Sequence, residues 1–586
     1  MLAEKRWNHM EQGSVEVSEH LAMELRIPKV LSQLLVQRGI TSSEEANRFF
    51  NPSLSELHNP FLMKDMDKAV ARISTAIETG ESIMVYGDYD VDGTTAVALV
   101  YTYLESLGHK ALSFYIPDRY TEGYGISEQG IEFAQTKGVT LIIALDCGIK
   151  AVEGVNYAKS LGIDFIICDH HLPGEEIPHA VAVLDAKRED CTYPFDELSG
   201  CGVGFKLVQA YAMHFGLDMK KVYSLLDFVV VSIASDIVPL IGENRVLAHF
   251  GLDVLNNNPS KGLHSILKIC SLEKHTITID DIVFKVGPRI NAAGRMIVED
   301  DDGEKISGGR NAVRLLISNT DEIALKYGNI IDECNSGRKE IDRNITIEAH
   351  KIVEKNNITR TRKCTVIYDP TWMKGVVGIV ASRLIERYYR PTVVLTMSNG
   401  FITGSARSVP GFDLYQAIES CSDLLENFGG HTYAAGLTMK PENLDAFKKR
   451  FAEYVEEHIE PQMLIPQIDI DMYLDLSEIT TEFRKTLCKF QPFGPGNPAP
   501  IFVTQNVCDD GHGRKVGINM EHLKMDVISS KNHLPISAIA FSQANAYADH
   551  VLKGGYIDIC YMVVENNYRG EVKPQLRIKD IKIKNK

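Results

Sequence analysis

The sequence predicts an α/β protein: two α/β lobes with parallel-rich sheets, joined by a long helical connector and followed by a small β domain. Three observations carry this. Short apolar runs alternate with helical stretches from about residue 65, and again from KCTVIYDP at 363 onward. Between these regions, residues 308 to 356 keep a helical pattern with many charges and few breakers. Beyond the Pro- and Gly-rich stretch FQPFGPGNPAP, Phe490 to Pro500, short alternating segments read as strands. A chain of 586 residues is too long for one core, so two to four domains are expected.

Residues 19–58 read as short helices, VLSQLLVQRG and SSEEANRFF, the second capped near Thr41 to Glu44. The helix MDKAVARISTAIETG leads into the strand SIMVYGD, the helix TTAVALVYTYLESLG and then ALSFYIPD. The strands TLIIALDCG and DFIICDHH follow, each after a helix, and then AVAVLDA. Such uniformly apolar strands fit a parallel sheet covered on both faces. The chain becomes helical through LVQAYAMHFG and VYSLLDFVVVSIASD. The second pattern runs through GVVGIVASRLIERYY, PTVVLTMS, GFITGSARS and GGHTYAAGLTM to the helix LDAFKKRFAEYVEEHI. The implied boundaries are 1–64 (helical segment), 65–305 (first lobe), 306–358 (connector), 359–460 (second lobe) and 461–586 (linker and β domain).

No apolar stretch reaches the roughly 20 residues of a membrane span, and MLAEKRWNHMEQGS has no apolar signal core. Eleven cysteines stand singly, without a Cys-x-x-Cys, as reduced thiols do. A cytoplasmic protein without membrane attachment is expected. The net charge of −16 argues mildly against a generic polyanion binder. The end of the chain, Tyr568 to Lys586, reverses the sign with seven Lys or Arg against two acids; a basic binding edge and a solvated tail fit it equally.

The polar punctuation falls where strands end, and in a parallel sheet that edge is where ligands bind. It carries Asp88, Asp90 and Asp92 in GDYDVDG, Asp146 in LDCG, and Asp169, His170 and His171 in CDHH; Asp236 follows in SIASDIVPL. Taken singly, an aspartate at a strand end is more often a helix cap. As a set, these carboxylates repel one another unless cations sit among them. Oxygen ligands with one or two imidazoles suit Mn2+ or Mg2+ rather than structural zinc. At this spacing Asp88 or Asp90 with Asp92 cannot all bind one ion, but they could divide between two. Two divalent metals about 4 Å apart are the standard device of phosphoryl chemistry.

GDYDVDG, DCG, DHH and SDIVPL resemble the four successive motifs of the DHH phosphoesterase superfamily, and GGHTYAAG, Gly429 to Gly436, resembles the glycine–histidine motif of its DHHA1 domain. PDRYTEGYG, GPRINAAGRM, GVVGIVASRL, GSARSVPGFDL and FGPGNPAP, in that order along nearly the whole chain, resemble the RecJ family of bacterial 5′→3′ exonucleases specific for single-stranded DNA. The resemblance implies a DHH lobe, a DHHA1 lobe and an OB-like nucleic-acid-binding barrel. It implies a monomer that releases 5′-mononucleotides in DNA repair and recombination, with single-stranded DNA, a single-strand-binding protein and a RecQ-type helicase as partners.

Carried over residue by residue, the resemblance puts Asp90, Asp146 and Asp88 on one metal and Asp92, His170 and Asp236 on the second, Asp146 bridging both. His171 would face the substrate phosphate or leaving oxygen. Many superfamily members have a metal-binding histidine where this chain has Tyr86, and Asp88 would substitute for it. The family's usual histidine after Trp372 is replaced by Met373. Arg119, Arg289, Asn291, Arg295, Ser405, Arg407, Gly429, Gly430 and His431 would bind substrate, arginine forks matching phosphate oxygens and the glycines baring backbone N–H groups. Each arginine alone is as readily a surface ion pair, and the two glycines as readily a plain turn. In the β domain, Phe502, Phe541, Tyr556 and Tyr561 are available either for base stacking or for its core. Two other readings remain open: a DHH–DHHA1 enzyme for short oligonucleotides or cyclic dinucleotides, and a non-catalytic nucleic-acid scaffold.

Overall fold

The structure, a computed structural model, describes residues 5–299, 305–529, 534–568 and 571–584. Contacts divide the chain into two compact units. One is Pro52–Asn344 with Pro492–Asn497; the other is Met1–Asn51, Ile345–Gln491 and Pro498–Lys586. The division falls inside the 35-residue helix Asp321–Lys355, within the expected connector. No helix of the described residues is long and apolar enough to cross a membrane.

The chain opens with β1 (Arg6–His9) and three short helices, the third capped by a box in which Ser42 and Glu45 exchange hydrogen bonds. The first unit is then built on β2 (Ser82–Gly87), β3 (Leu112–Tyr115), β4 (Val139–Leu145), β5 (Asp164–Cys168) and β6 (Ala182–Leu184). They pair in the order β3-β2-β4-β5-β6, every pairing parallel. Both faces are covered. Ile83 and Val85 pack into one core with Val97, Leu99 and Phe205, while Met84 and Tyr86 pack into another with Ile131, Ala134 and Ile142. This two-sided burial explains why the strands read as unbroken apolar runs. The winding reverses between β2 and β4, which opens a crevice at their C-terminal ends. Asp88 follows β2 and Asp146 follows β4. A short antiparallel pair, β7 (Ile297–Glu299) and β8 (Lys305–Ser307), follows later in this unit.

In the second unit, β9 (Thr365–Tyr368), β10 (Thr392–Ser398), β11 (Phe401–Arg407), β12 (Asn427–His431) and β13 (Ala434–Met439) form a sheet of order β12-β13-β11-β10-β9. Only β9–β10 is parallel. Asn399 and Gly400, both at positive φ, make the tight turn that folds β11 back on β10. β14 (Gln467–Ile470) pairs in parallel with β1, a contact across most of the sequence. After β15 (Met472–Tyr473), the last domain closes a ring: β16 (Phe502–Asp509), β20 (Ile557–Tyr568), β21 (Glu571–Ile583), β19 (Ile536–Ala540) and β18 (His522–Ser529), which pairs back to β16. β17 (Arg514–Val516) extends β18. Phe502 and Tyr561 are core, whereas Phe541 and Tyr556 are exposed. The basic end of the chain is mostly strand β21; Arg569, Gly570, Asn585 and Lys586 lie outside the described residues. The glycine- and proline-rich link is packed: Phe490 is buried against Phe49 and Phe50, and the carbonyl of Pro495 accepts the N–H of Leu240 at 2.7 Å.

Candidate metal centre

The acidic edge is assembled from strand ends and helix starts. Asp90 caps the helix Val91–Ser106, its carboxylate accepting the N–H of Gly93 at 3.0 Å. Gly93 allows the helix to sit close on the strand end, because a Cβ there would meet the backbone oxygen of Asp88 at 2.4 Å. Asp92, in the first turn, is buried and held by three donors. It accepts the N–H groups of Gly200 and Cys201, at the start of the helix Gly200–His214, and the hydroxyl of Ser232, each at 2.7 Å. Gly200 is also sterically required, since a Cβ there would lie 2.7 Å from Asp146 Oδ1. Asp146 holds a left-handed backbone (φ 60°), which aspartate tolerates better than most residues.

These groups converge on His170. Its Nε2 lies 3.2 Å from Asp146 Oδ1, 3.6 Å from Asp92 Oδ2 and 3.7 Å from Asp236 Oδ2. Asp236 ends the helix Leu226–Asp236. Asp88 Oδ1, Asp146 Oδ1 and His170 Nε2 are buried without hydrogen-bond partners. Among the described residues, no Lys or Arg lies within ion-pair distance of Asp88, Asp90, Asp92, Asp146 or Asp236.

The electrostatics record the same conflict. Burial raises the Asp88 carboxyl well above the carboxylate range, and Asp90 adds to the effect. Burial and then Asp92 raise both Asp90 and Asp146, Asp146 to well above the ordinary value. Asp236 is pushed up to about 8 by burial and by Asp92 and Asp90. Burial lowers His170, favouring the neutral imidazole that ligates metals. Partnerless buried oxygens beside a neutral imidazole fit divalent cations, and an oxygen-rich set with one imidazole fits Mn2+ or Mg2+.

His171 is held differently. Its Nδ1 lies 2.8 Å from Asp169 Oδ1, and the Tyr124 hydroxyl, which donates to the Asp146 carbonyl at 3.0 Å, lies 3.3 Å from the ring. Burial opposes charge on His171, but the Asp169 bond and charge outweigh it and raise its pKa. Asp169 also accepts the N–H groups of Ile149, His170 and His171. The sequence places Asp169 only among the carboxylates of the edge and does not mark it as the partner of His171, nor does it single out Tyr124, although both lie in the motifs CDHH and PDRYTEGYG. Tyr86 is no ligand: its buried hydroxyl donates to the Gly125 carbonyl at 2.9 Å, tethering the loop that carries Tyr124.

The candidate substrate residues separate into groups. Arg119 stacks over Tyr89 at 4.4 Å. Burial, with the charges of Arg119 and Arg338, lowers Arg295 to about 10. Arg289 is engaged by Asp332 at 2.9 Å and by the Lys285 carbonyl, which is the ion-pair alternative for that residue. Asn291 is half-buried in the helix Gly287–Ala293. In the second unit, Arg407 donates to Ser405 Oγ and to the Ala406 carbonyl, both at 2.8 Å, and among the described residues has no carboxylate partner. Gly429, Gly430 and His431 form no turn: they are exposed on edge strand β12, paired with Gly436, Ala435 and Ala434. Trp372 is buried and donates to Glu348, with Met373 beside it. A third cluster, Asp510, His512 and Asp526, lies on the surface of the barrel domain.

A doubly wound sheet whose switch-point edge carries this set defines a DHH-type phosphoesterase. Residues 82–233 match the DHH family, N-terminal domain; residues 361–457 match the DHHA1 domain and residues 470–580 the RecJ OB domain. The single-stranded-DNA-specific exonuclease RecJ of Bacillus subtilis (strain 168) is 36% identical over 99% of this chain and 71% of its own length. That of Escherichia coli (strain K12) is 32% identical over 97% and 98%. The crystal structure of RecJ from Thermus thermophilus in complex with Mn2+ has the same fold, with a TM-score of 0.83 at 24% identity, over 100% of this chain and 81% of that one. The chain belongs to the RecJ family.

Proposed function

We propose that this protein hydrolyses single-stranded DNA from its 5′ end, releases 5′-mononucleotides and serves DNA repair and recombination. The observation that carries the reading is the convergence of Asp92, Asp146 and Asp236 on His170 Nε2, with no Lys or Arg within ion-pair distance of them among the described residues. Asp88, Asp90 and Asp146 would hold one divalent ion, and Asp92, His170 and Asp236 the other, with Asp146 shared. When bound, the two ions activate water and stabilise the charge developing on the phosphoryl group.

The remaining work falls to the chain itself. Three donors fix the Asp92 carboxylate, so it presents its oxygens without rearranging. Asp169 holds the His171 ring and favours its protonated form, which lets it donate to a phosphate oxygen or to the leaving oxygen. Arg119 and Arg295 on the first unit, and Ser405 and Arg407 on the second, would hold backbone phosphates without reading bases. A single-strand-binding protein and a RecQ-type helicase are the partners this reading implies, since both present single strands.

Arg407→Ala is expected to weaken single-strand binding measured in chelator. The slope of log K against log salt should become shallower by about 0.7, one phosphate contact. An unchanged slope would leave Arg407 as a structural partner of Ser405.

The reading itself is tested with oligonucleotides labelled at either end, in Mn2+ and in chelator. A 5′ label should leave as mononucleotide at once, and a 3′ label should persist in shortening strands. Cleavage confined to dinucleotides, or no cleavage in Mn2+, would overturn it.

A further inference from the structure

The acidic edge ends in a residue that the backbone disfavours. Ile237, directly after Asp236, has φ 61° and ψ 30°, in the left-handed region. That region suits glycine or asparagine after a helix and is least tolerant of β-branched side chains. Among the described residues, no other β-branched residue has a positive φ. Burial does not account for the choice, because Ile237 is 63% exposed.

The conformation is imposed from both sides. Before it, Asp236 reaches toward His170. After it, Val238 and Leu240 are buried, the Leu240 N–H is bound by Pro495, and the Pro239 carbonyl accepts from the Asn244 side chain at 3.0 Å. An exposed apolar branch is thus kept at a strained position, one residue from a carboxylate of the catalytic edge. Strain that the surroundings over-determine marks positions where the side chain is needed for something other than stability.

We propose that Ile237 is a substrate-contacting residue, an apolar lip of the acidic edge that packs against the nucleobase of the nucleotide being removed, whatever its identity. This rests on the single-strand exonuclease reading and adds a contact to it. A phosphodiester lying over Asp236 places its own sugar and base within a residue's length of Ile237, since consecutive Cα atoms are about 3.8 Å apart. An aliphatic surface offers the base shelter from water without hydrogen-bond readout, as a sequence-independent nuclease requires.

The test uses Ile237→Gly and Ile237→Asn, both compatible with the left-handed backbone. Their binding to an oligothymidylate is measured by anisotropy in chelator, and their KM in Mn2+. The same measurements are made on an oligothymidylate with abasic sites at its 5′ end. The variants should melt no lower than wild type. They should bind the intact strand roughly tenfold more weakly, with KM raised to match. On the abasic strand, variants and wild type should be alike. Unchanged binding of the intact strand would overturn the proposal, as would an equal loss on both strands. A melting temperature lowered by several degrees would also overturn it, since Ile237 would then be kept for packing. If wild type fails to digest the intact strand, the exonuclease reading falls and the proposal with it; unchanged binding by the variants beside an active wild type counts against Ile237 alone.

Discussion

Asp146→Asn is expected to lower kcat on single-stranded DNA by roughly a thousandfold or more, while binding in chelator stays within about twofold of wild type. Asp146 is the proposed shared ligand, and its Oδ1 is the carboxylate oxygen nearest His170 Nε2, at 3.2 Å. Asp92 is fixed by three donors and Asp90 by its cap on Gly93, so neither is free to swing into its place. Asparagine is the informative substitution. Asp146 sits at φ 60°, where alanine would add backbone strain of about 1 kcal/mol and confuse folding with chemistry. Asparagine tolerates that conformation and removes only the charge. The metal-free variant should melt higher than metal-free wild type, since one member of a buried set of like charges is gone. Retention of even a tenth of the activity would contradict a shared ligand.

The second large effect concerns the metal-free protein and pH. The folded-state pKa values of Asp88, Asp90, Asp146 and Asp236 are all raised, burial being the first cause of each. For a carboxyl raised on folding, the native state binds more protons than the unfolded one, so its contribution is fully present below about pH 4 and is lost as pH rises. Asp236, pushed up to about 8, carries the loss to near pH 8. Asp169 runs the other way: its pKa is lowered despite burial, through His171, so its contribution is lost as pH falls through the acid range. Chelator-treated protein should therefore melt progressively lower between about pH 5 and 8. Mn2+ should flatten or reverse that slope, and its binding should release protons near neutral pH. A metal-free melting temperature that rises over this range would contradict the electrostatic account.

Much of this site was legible in the sequence, for a definite reason. Strands buried on both faces read as apolar runs, so the residues that break them mark one edge of the sheet without knowledge of the fold. Asp88, Asp146 and His170 are placed that way, and Asp236 likewise follows an apolar helix. What stayed hidden depends on distant segments. Asp92 takes its three donors from residues more than a hundred positions away. Arg289 finds Asp332 on another helix, and that pairing answers the arginine's charge locally. The link at Phe490–Pro500 reads as a boundary because glycine and proline punctuate it, yet its backbone docks at Leu240, just beyond Asp236. Gly429 and Gly430 read equally as phosphate-facing backbone or as a plain turn, while the register of β12 against β13 makes them strand. The strain at Ile237 has no signal in composition or period, since nothing local distinguishes it from any isoleucine after a helix.

The edge of the first sheet is proposed to hold two divalent cations that share Asp146. Anomalous diffraction from Mn2+-soaked crystals at the manganese absorption edge addresses it without reference to activity. Two peaks about 4 Å apart are predicted, one among Asp88, Asp90 and Asp146, the other among Asp92, His170 and Asp236, with Asp146 touching both. A single peak, or manganese found only at Asp510, His512 and Asp526, would contradict the account.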